Sequence, residues 1–197
     1  MPITTDAAAT ERLNRFADLL EKWNASLNLV APRDIPVLWQ RHIADSLQLL
    51  PLLPGSLDRA VDLGSGGGFP GLVLAIASGV PFDLIEADQR KASFLRTAIR
   101  ETGAPAAVHA CRIEAADLPP ARLVTARALA PLSRLLPLAA RLLTPDGTCL
   151  FLKGARAGEE IADASPNWDM TLDRVPSGTN PDGVILRISA LAVKSSG

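Results

Sequence analysis

The spacing of apolar residues changes period near residue 58. Upstream, Leu13, Phe16, Leu20 and Trp23 recur every three or four positions, which predicts a helix over 10–24 with one buried face and Thr10 as its N-cap. A second helix is predicted over 35–50, stopped by Pro51 and Pro54, with 28–33 as the loop between them. Downstream, short apolar runs alternate with helical segments: strands over 60–63, 82–86, 107–111, 123–126 and 148–152, helices over 72–78, 90–102 and 132–143. That alternation predicts a doubly wound α/β fold, a mostly parallel sheet covered on both faces. After Lys153 it fails: 154–165 reads as a loop or short helix, and 170–175 with 184–192 as an antiparallel hairpin around a turn rich in Pro, Gly and Asn. The five strands and their closing hairpin predict a seven-stranded Rossmann-like sheet in one domain, with a helical extension over 1–57 and an α/β core over 58–197.

Composition narrows the class without naming a partner. A chain of 197 residues, 48% hydrophobic and with formal net charge −1, is globular rather than disordered or broadly basic. The two cysteines, Cys111 and Cys149, suggest neither a disulfide framework nor a zinc cluster; they are expected as small packed hydrophobes in a reducing compartment. The start of the chain lacks the basic and apolar regions of a signal peptide, and Arg134 and Arg141 interrupt the longest leucine-rich stretch. A cytoplasmic monomer with no membrane partner and no metal is expected.

Chemistry concentrates in Asp62-Leu-Gly-Ser-Gly-Gly-Gly-Phe-Pro-Gly71, a nearly side-chain-free turn joining a strand end to a helix start. Two ligands compete for it. Gly66, Gly68 and Gly71 match the G-x-G-x-x-G fingerprint of dinucleotide binding, with Glu86 and Asp88 downstream at ribose spacing. Read from Asp62 instead, the pattern is D-x-G-x-G-x-G through Gly64, Gly66 and Gly68, and an acid at the strand end favours a cationic ligand over a pyrophosphate. S-adenosylmethionine, with its sulfonium and α-amino groups and no phosphate, meets that demand. A bare turn does not need five glycines between 64 and 71.

Other candidates follow the strand ends. Glu86 can accept both hydroxyls of a ribose, leaving Asp88 to cap the next helix. Backbone around Ile113 and Glu114 would pass an adenine, although the residues alone read equally well as a plain polar loop. Arg127 leaves the fourth strand among small apolar neighbours at the carboxyl edge of the sheet, aimed at a carboxylate or phosphate; an arginine reaching out to solvent is the plainer reading. Arg41 and Asp45, four apart, read as a surface ion pair of about 0.3–0.5 kcal/mol with His42 and Ser46 on the neighbouring face. Arg90, Lys91, Arg96 and Arg100 share one helix, either solvated or a phosphate-binding patch, and Trp39 is expected in the core. No Asn/Asp-Pro-Pro-aromatic tetrapeptide for amino-group methylation occurs, neither cysteine follows a proline, and no metal-ligand spacing exists.

In order along the chain, Asn28-Leu-Val, Arg41-His-Ile-Ala-Asp-Ser46, the 62–71 turn, Arg90-Lys-Ala-Ser-Phe-Leu95, Arg127-Ala-Leu-Ala-Pro-Leu132 and Lys153-Gly154 resemble the ribosomal RNA small subunit methyltransferase G family, also called glucose-inhibited division protein B. The resemblance implies a class I methyltransferase fold and N7 methylation of one guanine in the 530 loop of 16S ribosomal RNA, within the small subunit or its precursor, using S-adenosylmethionine. It implies cofactor contacts from Gly64, Phe69, Ile113, Glu114 and Arg127. It also raises Arg41, His42, Asp45 and Lys153 to functional candidates on the RNA side, with Arg127, Asp45 and His42 positioning the reactants and Arg90, Lys91 and Arg96 available to RNA.

Overall fold

A computed structural model describes residues 5–194, so the first four residues of the amino-terminal stretch read above lie outside it. Seven strands form one sheet: β1 (Ala60–Leu63), β2 (Phe82–Ile85), β3 (Ala106–His109), β4 (Ala121–Arg127), β5 (Leu143–Lys153), β6 (Trp168–Pro176) and β7 (Val184–Val193), in the order β3-β2-β1-β4-β5-β7-β6. The first five run parallel, and β7 enters antiparallel between β5 and β6. Because the chain winds outward from β1 to β3 and then returns to β4 beside β1, the strand order reverses at the β1–β4 pair. The loops leaving those two strands therefore flank a crevice, the usual ligand position in open α/β sheets.

Among the described residues six α-helices accompany the sheet: α1 (Ala7–Leu27), α2 (Asp45–Leu47), α3 (Gly71–Ser78), α4 (Gln89–Thr102), α5 (Leu132–Ala140) and α6 (Ala157–Ala164). Helix α3 is apolar on every side, and Leu72, Val73, Leu74, Ala75 and Ile76 are all fully buried. Such a helix needs cover on both flanks. The sheet supplies one and α1 the other, through Leu13, Phe16 and Leu20. Phe16 packs its ring 5.5 Å from Phe69 and 6.3 Å from Phe94, so the amino-terminal helices share one core with the glycine turn.

Several boundaries differ from expectation for local reasons. Helix α1 starts earlier, because Asp6 rather than Thr10 is the N-cap: its carboxylate accepts the Ala9 N–H at 2.6 Å. The predicted 35–50 helix is broken into a 3₁₀ turn (Pro32–Val37), a wider π-type turn (Trp39–Ala44), α2 and a 3₁₀ turn (Leu50–Leu52), with Pro36 inside the first. Strand β3 ends at His109, whose carbonyl accepts from both Glu86 and Cys111 as the chain turns. Helix α5 stops at Ala140, and Leu143 already pairs with Ala121, so β5 begins five residues earlier than predicted. The 154–165 segment contains α6, and the hairpin forms with slightly longer arms than expected.

Candidate active site

The first cleft lies over the glycine turn. Gly64 and Gly66 take φ of +65° and +52°, a left-handed backbone open to residues without Cβ, and they carry the chain across the end of β1. Glu86 locks the far side: Oε2 accepts the Gly66 N–H and Oε1 the Asp88 N–H, both at 2.8 Å. Asp88 caps α4 as expected, accepting from Arg90 and Lys91. Gly64, Gly66, Phe69, Glu86, Ile113, Glu114 and Arg127 converge on this cleft of about 960 Å³, and Lys91 stands at its margin. The Glu114 carbonyl is fixed by Arg141 at 3.0 Å.

Two expected ligand contacts are supports instead. Asp62 is fully buried beneath the turn, because strand register places it beside Thr125, whose hydroxyl donates to Oδ1 at 2.6 Å. Gly68 packs into the core, where a Cβ would lie 3.1 Å from the Phe16 ring and 3.2 Å from Leu72.

Arg127 closes the first cleft and opens a second, of about 900 Å³, which also takes in Asp34, Arg41, His42, Asp45 and Lys153. Leu29 and the 127–130 segment line both, so that segment is a partition. The guanidinium is held by four contacts: Nη2 donates to His42 Nδ1 at 2.7 Å, Nη1 to Asp45 Oδ2 at 3.3 Å and to the Arg41 carbonyl at 3.5 Å, and the group lies 4.7 Å from the Phe69 ring centre. His42 Nδ1 must accept, so Nε2 carries the proton and donates to Asp34 Oδ2 at 3.0 Å. Burial lowers the His42 pKa to about 4, reinforced by the Arg127 cation and opposed by Asp34. Burial also pulls Arg127 below the ordinary arginine value, against the attraction of Asp45.

The expected Arg41–Asp45 pair does not form. The wide turn over Trp39–Ala44 breaks the helical register, so Arg41 Nε pairs with Asp34 at 3.1 Å while Asp45 turns to Arg127. Arg41 keeps a mostly exposed side chain at the second cleft. Arg90 bonds the Ser26 carbonyl, and it and Arg96 line neither cleft. Lys153 faces inward, its ammonium bonded to Glu160 and the Ala130 carbonyl. Trp39 packs against the core and Cys149 is buried. Among the described residues no group of acids, histidines and cysteines could hold a metal, and no helix is long and apolar enough to cross a membrane.

Sequence reading missed Asp34, Thr179 and Glu160. Asp34 sits in a proline-flanked turn with no helical periodicity to mark its face. Thr179 belongs to the β6–β7 turn and reaches Asp45 Oδ1 at 2.6 Å across 134 positions of chain.

Burial pushes the Asp62 carboxyl from 3.8 up to about 6, against the Thr125 hydroxyl, and Oδ2 has no hydrogen-bond partner. The native state then takes up a proton near pH 6, whereas the unfolded chain does so only near 3.8. This group's contribution to stability is full below the unfolded value and is lost as pH rises through about 6, a span worth about 3 kcal/mol. Asp62→Asn cannot ionise. In urea unfolding it is expected to exceed wild type by up to about 3 kcal/mol above pH 7, with the gap closing towards pH 4. His42 runs the other way, its contribution present above pH 6.5 and lost as pH falls through about 4. It is common to both proteins and cancels in the difference, so parallel stability curves would refute the buried-charge account.

A protein-family model described as GidB, rRNA small subunit methyltransferase G, matches residues 9–180. Ribosomal RNA small subunit methyltransferase G of Gluconobacter oxydans is 57% identical over 94% of this chain and 96% of the relative. The protein of the same name from Rhodospirillum centenum is 54% identical over 92% and 84%. Among solved structures, a TehB-like SAM-dependent methyltransferase from Corynebacterium glutamicum aligns with TM-score 0.60 at 14% identity, over 90% of this chain and 98% of that one. An O-methyltransferase from Bacillus cereus in complex with SAH aligns with TM-score 0.56 at 15% identity, over 94% and 92%. The structural likenesses establish the class I methyltransferase fold, and the sequence matches establish the family: this chain belongs to the rRNA small subunit methyltransferase G (GidB) family.

Proposed function

We propose that this protein transfers a methyl group from S-adenosylmethionine to N7 of a guanine in the 530 loop of 16S ribosomal RNA, with the cofactor over the glycine turn and the guanine in the adjoining cleft. The observation that carries the site assignment is the pair of clefts sharing the 127–130 partition. The cofactor side suits its ligand: glycine backbone without side chains, a carboxylate at Glu86 for the ribose, and a buried negative group at Asp62 below the turn. The dinucleotide reading fares worse, because the Asp62 carboxylate stands against Gly71 at the start of α3, where a pyrophosphate needs free N–H groups.

Bound there, S-adenosylmethionine supplies an electrophilic methyl on a cationic sulfur. Guanine N7 has an in-plane lone pair and no proton, so the chain need provide no general base, and none is poised at the partition: His42 is committed through both ring nitrogens. Its residues instead orient and exclude water. Arg127, fixed by His42, Asp45 and Phe69, lines both clefts as a preorganised donor, suited to the O6 acceptor beside N7. Arg41 at the rim and Lys91 beside the cofactor offer charge to phosphates.

Purified protein with methyl-labelled cofactor is expected to label 30S subunits from cells lacking the enzyme, and mass mapping should find 7-methylguanine at one site in the 530 loop. Label on a small metabolite, or on another atom of the base, would reject the assignment.

A further inference from the structure

Lys153 and Glu160 form a largely buried ion pair to which the reaction gives no task. Lys153, at the end of β5, has a side chain only 7% exposed; its ammonium donates to Glu160 Oε2 at 2.8 Å and to the Ala130 carbonyl at 2.6 Å. The same Glu160 oxygen accepts the Leu132 N–H at 2.8 Å. Together they grip the distal end of the partition, while Asp45 and His42 grip Arg127 at its proximal end. Between the two grips Ala128 takes φ of +51°, a left-handed conformation that disfavours a residue with a Cβ, and Leu129 lies against Gly64. A Cβ on Gly64 would come within 2.5 Å of Leu129 Cδ1. A segment strained and packed in this way keeps its shape only when both ends are fixed.

We propose that Lys153 and Glu160 are a pair of positioning residues that set the partition between the cofactor and base clefts, rather than contacts to RNA phosphate. This rests on the two-cleft reading above. A lysine already bonded to a carboxylate and a carbonyl has little left for a phosphate, whereas a partition displaced by an ångström misaligns the reacting atoms without removing a binding contact.

The test is steady-state methylation of 30S subunits by Lys153→Met, Glu160→Gln and the Lys153→Met/Glu160→Leu double variant, with S-adenosylhomocysteine titration and thermal denaturation of each. The double variant removes both charges together, so neither is left unpaired as in the single variants. The expected result is kcat lower by about 10- to 100-fold in every folded variant, less than additive in the double. KM for the subunit, its salt dependence and S-adenosylhomocysteine affinity should stay near wild type. A raised KM with a salt slope shallower by about one for Lys153→Met alone would mark a phosphate contact and overturn the proposal, as would wild-type kcat in the double variant. Val37→Glu, on the exposed rim of the base cleft and away from the partition, checks the underlying reading separately. An unchanged KM there would sink the two-cleft assignment whatever Lys153 does.

Discussion

Arg127→Ala is expected to lower kcat/KM for ribosomal RNA methylation by about 10³, equivalent to about 4 kcal/mol of transition-state stabilisation, with a much smaller change in S-adenosylhomocysteine affinity. The size follows from how completely the guanidinium is preorganised. It is clamped by His42 at 2.7 Å and Asp45 at 3.3 Å over the face of Phe69, so little reorganisation is left when the base arrives. Removing it also leaves the Asp45 carboxylate with only Gln48 and Thr179 as donors, and His42 Nδ1 with none. Arg127→Lys keeps a charge but loses the planar fork that bonds His42 and Asp45 at once, so it should recover little activity. Single-turnover methylation at saturating cofactor separates this from weaker binding. A loss under about tenfold would remove Arg127 from the positioning role.

The sheet was legible because its strands are short apolar runs of the right period, bounded by glycine and proline. The ends of β1 and β4 could be located, and with them the glycine turn and Arg127. Less legible was anything decided by register or by winding. Asp62 looked like a ligand contact in sequence, yet pairing with β4 puts it beside Thr125 and under the turn. Arg41 and Asp45 looked like partners at helical spacing, yet one wide turn gave each a different partner. Lys153 became a candidate only through the resemblance, and its partner Glu160 lies in a segment with no clear periodicity, where a largely buried ion pair leaves no trace in composition. The amino-terminal helices look like an appendage in sequence. They complete the core because α3 is apolar all round and would otherwise face water.

Gly71→Ala is expected to destabilise the fold by about 3 kcal/mol, lowering Tm by roughly 6–12 °C for a chain of this size. The added Cβ would sit 2.5 Å from Asp62 Cβ and 2.7 Å from Asp62 Cγ and Oδ2. Neither side can yield. Asp62 is pinned by Thr125 at 2.6 Å, and α3 is buried on every flank, so it cannot retreat without opening the core against α1. Gly66→Ala isolates the other half of the effect. Its Cβ would meet nothing closer than the Gly64 carbonyl at 3.8 Å, leaving only left-handed backbone strain of about 1–2 kcal/mol. That variant should melt closer to wild type yet bind S-adenosylhomocysteine more weakly, since Gly66 lines the cleft proposed for the cofactor. Thermal denaturation with and without S-adenosylhomocysteine distinguishes the two. If Gly71→Ala melts as wild type does, Asp62 is not the wedge between strand and helix, and the buried carboxylate loses its structural reason for lying under the turn.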